Sequence, residues 1–327
     1  MVSFFKDKSP VAIFLLIILI AALHGHTVIQ PVGVHVRPQD GYLYMVLAPL
    51  ANATAALPFL YGFIILITAL QINFVFNQLK LFIKTGYTTA LSFVLLTALF
   101  PGFNNIFTAL IIQIPLVWIF YFVCRIYNAQ NARPLIFNTG FLAGVSILLY
   151  HAIFPIILVL FIALAVMRPF KINEWFVLLL GIITPIYFAA GYLFLHDNLI
   201  TEATAFVQDF QLHKIITADI ISTFITLGII SLLLLYGLIT VGNAGGQAAL
   251  QVRKSWGILF WMLLLFIPIN FLVKDSWPYT LCLLIIPATA YISHIFISSK
   301  SKIISIIIFW VLIILTIYNN WFLHLKK

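Results

Sequence analysis

The chain has 327 residues, of which 64% are apolar and only 8% charged, with a formal net charge of +9. A soluble domain is usually about a quarter charged, so this composition excludes a water-soluble globular fold and makes lipid the solvent for most of the chain. The basic residues stand singly or in pairs between apolar blocks. They read as topology signals at the lipid headgroups, not as a surface for nucleic acid.

A backbone in hydrocarbon must satisfy its own hydrogen bonds, so each spanning block is expected to be helical. Taken in order, the blocks predict an all-α polytopic membrane protein with about eleven helices: 10–26, 55–73, 86–100, 106–124, 135–151, 154–168, 175–195, 220–241, 257–273, 278–297 and 303–321. Together they make residues 1–327 a single transmembrane domain with no soluble domain. The first block follows Lys6 and Lys8 like the core of a signal peptide, but it lacks a small-x-small cleavage site and reads as retained. Residues 42–50 read as an interfacial helix leading into the second span. The third, fifth and sixth blocks fall short of the roughly 20 residues of a full span.

Several polar or small residues lie inside these blocks. Gly140-x-x-x-Gly144 in the fifth lets a partner helix approach closely. Gln113, Asn138, Asn270 and His294 are expected to bond to neighbouring helices. Cys124 and Cys282, the two cysteines, both sit in apolar blocks, which argues against a disulfide framework or a thiolate metal site.

Charge counting sets an expected orientation. With the N-terminus in the cytoplasm, twelve basic residues fall inside (Lys6, Lys8, Lys80, Lys84, Arg125, Arg133, Arg168, Lys171, Arg253, Lys254, Lys300, Lys302). Five fall outside (Arg37, Lys214, Lys274, Lys326, Lys327). The positive-inside rule supports that assignment, in the inner membrane of a bacterium. Six of the eight acids fall outside.

The two outer loops, about 27–41 and 196–219, carry the residues with chemistry. The first outer region, counting the end of the first block, holds His24, His26, His35, Arg37 and Asp40; the second loop holds His196, Asp197, Glu202, Asp209, His213, Lys214 and Asp219; His151 sits at the turn between the fifth and sixth blocks. Brought together, they could bind a divalent ion or a phosphate and supply a general base; equally, loops are polar because loops are wet. His24-Gly-His26 places two imidazoles at a chelating spacing for a metal, with a third ligand needed from elsewhere. Asp40 either ends the loop as a functional acid or forms an ordinary Asp-Gly turn with Gly41.

Two resemblances follow from quoted segments. The stretch Arg133 to Tyr150, then Met167-Arg-Pro-Phe170 and Asn173-Glu-Trp175 with Gly181 and Pro185, together with the Ser3 to Pro10 start, resembles a family of inner-membrane proteins of Bacteroidota. That resemblance implies no activity. The second is looser. A first outer loop ending in an acid, an amphipathic stretch and then many spans is similar to the membrane-embedded glycosyltransferases of the GT-C fold, as is the glycine-bearing opening Phe137 to Gly144. This resemblance implies a transferase using a polyprenyl-phosphate sugar at the outer face. It would make Asp40 the base or a metal ligand, with Arg37, His151 or Lys214 on the carrier phosphate. The acidic pair common in that superfamily is replaced here by Gln39-Asp40. A transporter or flippase is the rival reading, though the middles of the spans are mostly uncharged. The third is a non-catalytic membrane subunit docking a partner helix on Gly140 and Gly144.

Overall fold

The computed structural model describes the chain except residues 1, 30–31, 38–39, 53–55, 201–202, 205, 207–219, 245–247, 274–276, 299–301 and 323–327. Its apolar helices, in chain order, are α1 (Pro10–His24), α2 (Leu57–Gln78), α3 (Thr88–Thr97), α4 (Thr108–Ile126), α5 (Arg133–Leu149), α6 (His151–Met167), α7 (Ile172–Leu195), α8 (Ser222–Asn243), α9 (Leu250–Leu272), α10 (Tyr279–Ser298) and α11 (Ile303–Trp321).

Among the described residues, seven of these are long and apolar enough to cross a membrane, not the eleven expected. The other four, α1, α3, α5 and α6, have 10–17 residues. At 1.5 Å per residue they reach about 15–26 Å, short of a hydrocarbon core of roughly 30 Å. α3 shows why a short apolar helix is tolerated here: all ten of its residues are buried, so protein rather than lipid surrounds it. The fifth and sixth blocks are separated, as expected, where Tyr150 turns extended and His151–Ile153 form a 3-10 turn.

The surface is what a lipid-solvated bundle requires. α7 bares Phe176, Leu180, Ile183, Tyr187 and Phe188, and α8 bares Phe224, Leu232, Leu235 and Ile239. Apolar faces this continuous are not left in water by a soluble monomer. The centre is α10, whose residues Ile285 to Ser293 are all buried, flanked by α3, α8 and α9. The chain is therefore a multi-pass α-helical membrane protein.

Glycine sets the tightest helix contact. A Cβ added at Gly140 would lie 2.6 Å from the Leu178 carbonyl oxygen, and one at Gly181 would lie 2.5 Å from that of Phe137. One at Gly144 would run into the Ile182 carbonyl. The helix that the Gly140–Gly144 face receives is thus α7 of the same chain. The buried amides act likewise as glue: Gln113 Nε2 donates to the Cys282 carbonyl at 2.5 Å, and Thr280 donates to Asn270 Oδ1 at 2.9 Å.

One end of the bundle is stitched by a minimal parallel sheet. β1 (Val34–His35) pairs with β2 (Ile106–Phe107), Val34 opposite Ile106 and His35 opposite Phe107. Gly33 adds two bonds, its N–H donating to Asn105 Oδ1 at 3.0 Å and its carbonyl accepting from Ile106 N at 2.9 Å. The first loop is thereby fixed directly above the start of α4. The stretch expected as an interfacial helix is helical at Leu43–Leu47 and continues as a 3-10 turn over Ala48–Asn52.

Candidate functional site

Asp40 is the focus of this end. It is 4% exposed, and β1 delivers it: two residues past the strand comes Arg37, and the Asp40 N–H donates to the Arg37 carbonyl at 3.0 Å to close a turn. Oδ1 accepts from Arg37 Nε at 3.0 Å and from Nη2 at 2.6 Å. Oδ2 accepts from the Arg37 backbone N–H at 3.0 Å and from the Thr108 hydroxyl at 3.2 Å. Each oxygen thus holds two donors, which fills the four lone-pair positions of a carboxylate. Two of these bonds come from a guanidinium, and such charge-assisted bonds are roughly twice as strong as neutral ones.

The residue after it is constrained as well. Gly41 has φ +115°, and a Cβ there would meet the Leu148 and Leu149 carbonyl oxygens at 2.6 and 2.9 Å. Tyr42 N–H donates to the Leu148 carbonyl at 2.9 Å. The Asp-Gly turn is therefore clamped onto the end of α5, two residues before His151. His151 is buried, with its ring edge against Phe206 at 5.0 Å between centroids. His35, on β1, lies against Tyr279 at 4.2 Å. Burial draws the His35 imidazole below the usual histidine range, Asp40 pulls it back up, and Arg37 pushes it down again.

His24 and His26 are both buried. His24 Nδ1 lies 3.3 Å from the Tyr61 hydroxyl, with the Asn104 side chain beside the ring. His26 Nδ1 lies 3.1 Å from the Leu23 carbonyl, and its ring meets Trp321 edge-on at 6.2 Å. Among the described residues no group of three or more His, Cys, Asp and Glu side chains is placed to hold a metal ion. Lys214, with Glu202, Asp209, His213 and Asp219, lies outside the described residues.

The structure therefore brings Arg37 and Asp40 into direct contact and sets His151 beyond the adjoining turn, while His24 and His26 pack around Tyr61 and Trp321. Sequence reasoning missed Thr108, the fourth donor to Asp40. It also missed an asparagine ladder at this end. Asn104 Nδ2 donates to Asn320 Oδ1 at 2.7 Å, Asn320 donates to the Ala98 carbonyl at 2.8 Å, and Asn319 donates to the Leu99 carbonyl at 2.8 Å. The paired Asn319-Asn320 at the end of an apolar block was the available signal. Compared with protein-family models, curated proteins and solved structures, the chain matches none.

Proposed function

We propose that this protein is a membrane-embedded transferase that takes a polyprenyl-phosphate sugar at the Asp40 end of the bundle. The observation that carries the reading is the pairing of buried Asp40 with half-buried Arg37, held by a turn, a strand and the Thr108 hydroxyl. A carrier phosphate is a bidentate acceptor that competes with a carboxylate for one guanidinium. When Arg37 swings to the phosphate, Oδ1 of Asp40 loses both of its donors and becomes able to accept a proton. The acceptor hydroxyl then attacks the sugar's anomeric carbon, its proton passes to Asp40, and the bond from that carbon to the phosphate oxygen breaks. Arg37 stabilises the departing polyprenyl phosphate. In this scheme the base is unmasked only when the carrier is bound. His151 and Lys214 are the further candidates for the carrier phosphate, and the site faces outward from a bacterial inner membrane.

A second reading is favoured by the same carboxylate. An acid with all four lone-pair positions filled is also what a purely structural latch looks like, in a non-catalytic membrane subunit. The experiment that separates the two is lipid mass spectrometry on a deletion strain complemented with wild type, Asp40→Asn or Thr108→Val, with membrane levels of each protein matched. The transferase reading expects one polyprenyl-phosphate sugar to accumulate in the deletion strain, Thr108→Val to clear it, and Asp40→Asn to leave it uncleared. Clearance by Asp40→Asn as by wild type removes the catalytic role and leaves the latch.

A further inference from the structure

The opposite end of the bundle holds a cleft of about 1560 Å³, larger than the 300–1,000 Å³ typical of small-molecule sites. It opens between the ends of α2 and α4, the start of α9, and the segment 79–87 that follows α2. Three cations line it, Lys8, Lys80 and Arg125, and none of its described lining residues is Asp or Glu. The walls are built. Arg125 Nη1 donates to the Tyr121 hydroxyl at 3.2 Å, and its guanidinium lies 5.5 Å from the centroid of that ring. Asn77 ties down the segment after α2 by donating to the Gly86 carbonyl at 3.0 Å. Gln251 fixes the start of α9 to α4 by donating to the Cys124 carbonyl at 3.0 Å.

Two further features point to the occupant. Asn73 sits in the wall, 5% exposed, and its Oδ1 has no hydrogen-bond partner among the described residues. A buried amide left unmet is a group awaiting a polar partner. Phe74 and Ile83, also in the lining, are 49% and 97% exposed, and Lys8, Lys80 and Arg125 are exposed as well, so bare apolar and cationic side chains share the lining. A set of cations with no acid among the described lining residues, an unmet amide oxygen and bare apolar side chains suit one ligand chemistry: a phosphate ester with hydroxyls beside the phosphate and an apolar tail.

We propose that this cleft binds the phosphate of a hydroxyl-bearing phosphate ester, on the face opposite the Arg37–Asp40 site and independently of it. The cations meet the phosphate, the headgroup hydroxyls meet Asn73, and a lipid tail lies along Phe74 and Ile83. The phosphate could come from a membrane lipid or from a soluble ester, and the test separates these sources. The full chain is placed in nanodiscs of phosphatidylcholine doped with phosphatidylglycerol, and retained lipid is read by native mass spectrometry. Glycerol 3-phosphate serves as the soluble competitor.

Saturable retention of phosphatidylglycerol over phosphatidylcholine is expected. Lys80→Gln with Arg125→Gln should weaken it roughly thirtyfold, from two headgroup-level charges, and Asn73→Leu should weaken it as well. Arg133→Gln with Lys171→Gln removes the same charge from a separate, smaller cavity that contains Glu174, and should leave retention unchanged. Displacement by millimolar glycerol 3-phosphate assigns the site to a soluble ester; resistance to it assigns the site to a lipid headgroup. Equal retention of both lipids overturns the proposal. So does an equal loss in the two charge-removal pairs, with melting temperatures matched, because attraction to the whole cationic face would then account for binding.

Discussion

Asp40 distinguishes what a residue's type reveals from what its surroundings reveal. Its place at the end of a loop, next to a glycine and three residues after an arginine, is written in the chain. The Thr108 hydroxyl lies 68 positions away, and no local pattern announces it. The same holds for His24: the His-x-His spacing is visible, but Tyr61 on α2 engages its Nδ1. The bonds around Asp40 are unequal, which makes them testable. Replacing Thr108 with valine removes one neutral donor and leaves three, so thermal unfolding in detergent should show a loss of about 1 kcal/mol. Asp40→Ala strands a guanidinium whose side chain is 17% exposed, and should cost about 3 kcal/mol. Equal, small effects from the two would mean that the pair is solvated and holds nothing.

At the scale of elements, the order of the apolar blocks was legible because hydrophobic runs and polar breaks are local. Helix ends were less so. α2 was expected to stop at residue 73 but continues to Gln78. Gln71, Asn73 and Asn77 resemble a break in a sequence, yet on the helix they turn toward protein and the cationic cleft. Arg168 illustrates another non-local tie: it pairs with Glu174 at 3.1 Å and donates to the Ile126 carbonyl at 3.3 Å, capping the end of α4. The glycine seam was legible as a motif, but only the fold identifies α7 as what it receives. Gly140→Val pushes a branched side chain into the Leu178 carbonyl and should destabilise the bundle by about 2–3 kcal/mol. Gly191, further along α7, has nothing within 4 Å of an added Cβ. Gly191→Ala should therefore be neutral or gain up to about 1 kcal/mol in helix propensity. Comparable losses at both positions would argue against close packing as the cause.

At the scale of the whole molecule, the number of spans depends on which apolar blocks face lipid, and a sequence does not separate a lipid-facing helix from one sheltered by its neighbours. α3 and α8 are both apolar, but the first is buried throughout and the second bares much of its surface. What survives this ambiguity is the segregation of charge. Lys8, Lys80 and Arg125 gather at one end of the bundle, whereas Arg37 and Asp40 pair at the other. If the first end faces the cytoplasm, the orientation that the charge count favours under the positive-inside rule, its cleft meets the anionic leaflet and the Arg37–Asp40 site faces outward. Site-directed labelling decides this, helped by the burial of both native cysteines, which keeps the background low. Ile83, fully bared beside the cationic cleft, and Asp197, exposed beyond the far end of α7, mark the two sides. In intact cells a membrane-impermeant maleimide should label Asp197→Cys, and should reach Ile83→Cys only after permeabilisation. The reverse pattern would invert the molecule and move the Arg37–Asp40 site to the cytoplasm. Labelling of both positions in intact cells would mean that the two ends do not lie on opposite sides of the bilayer.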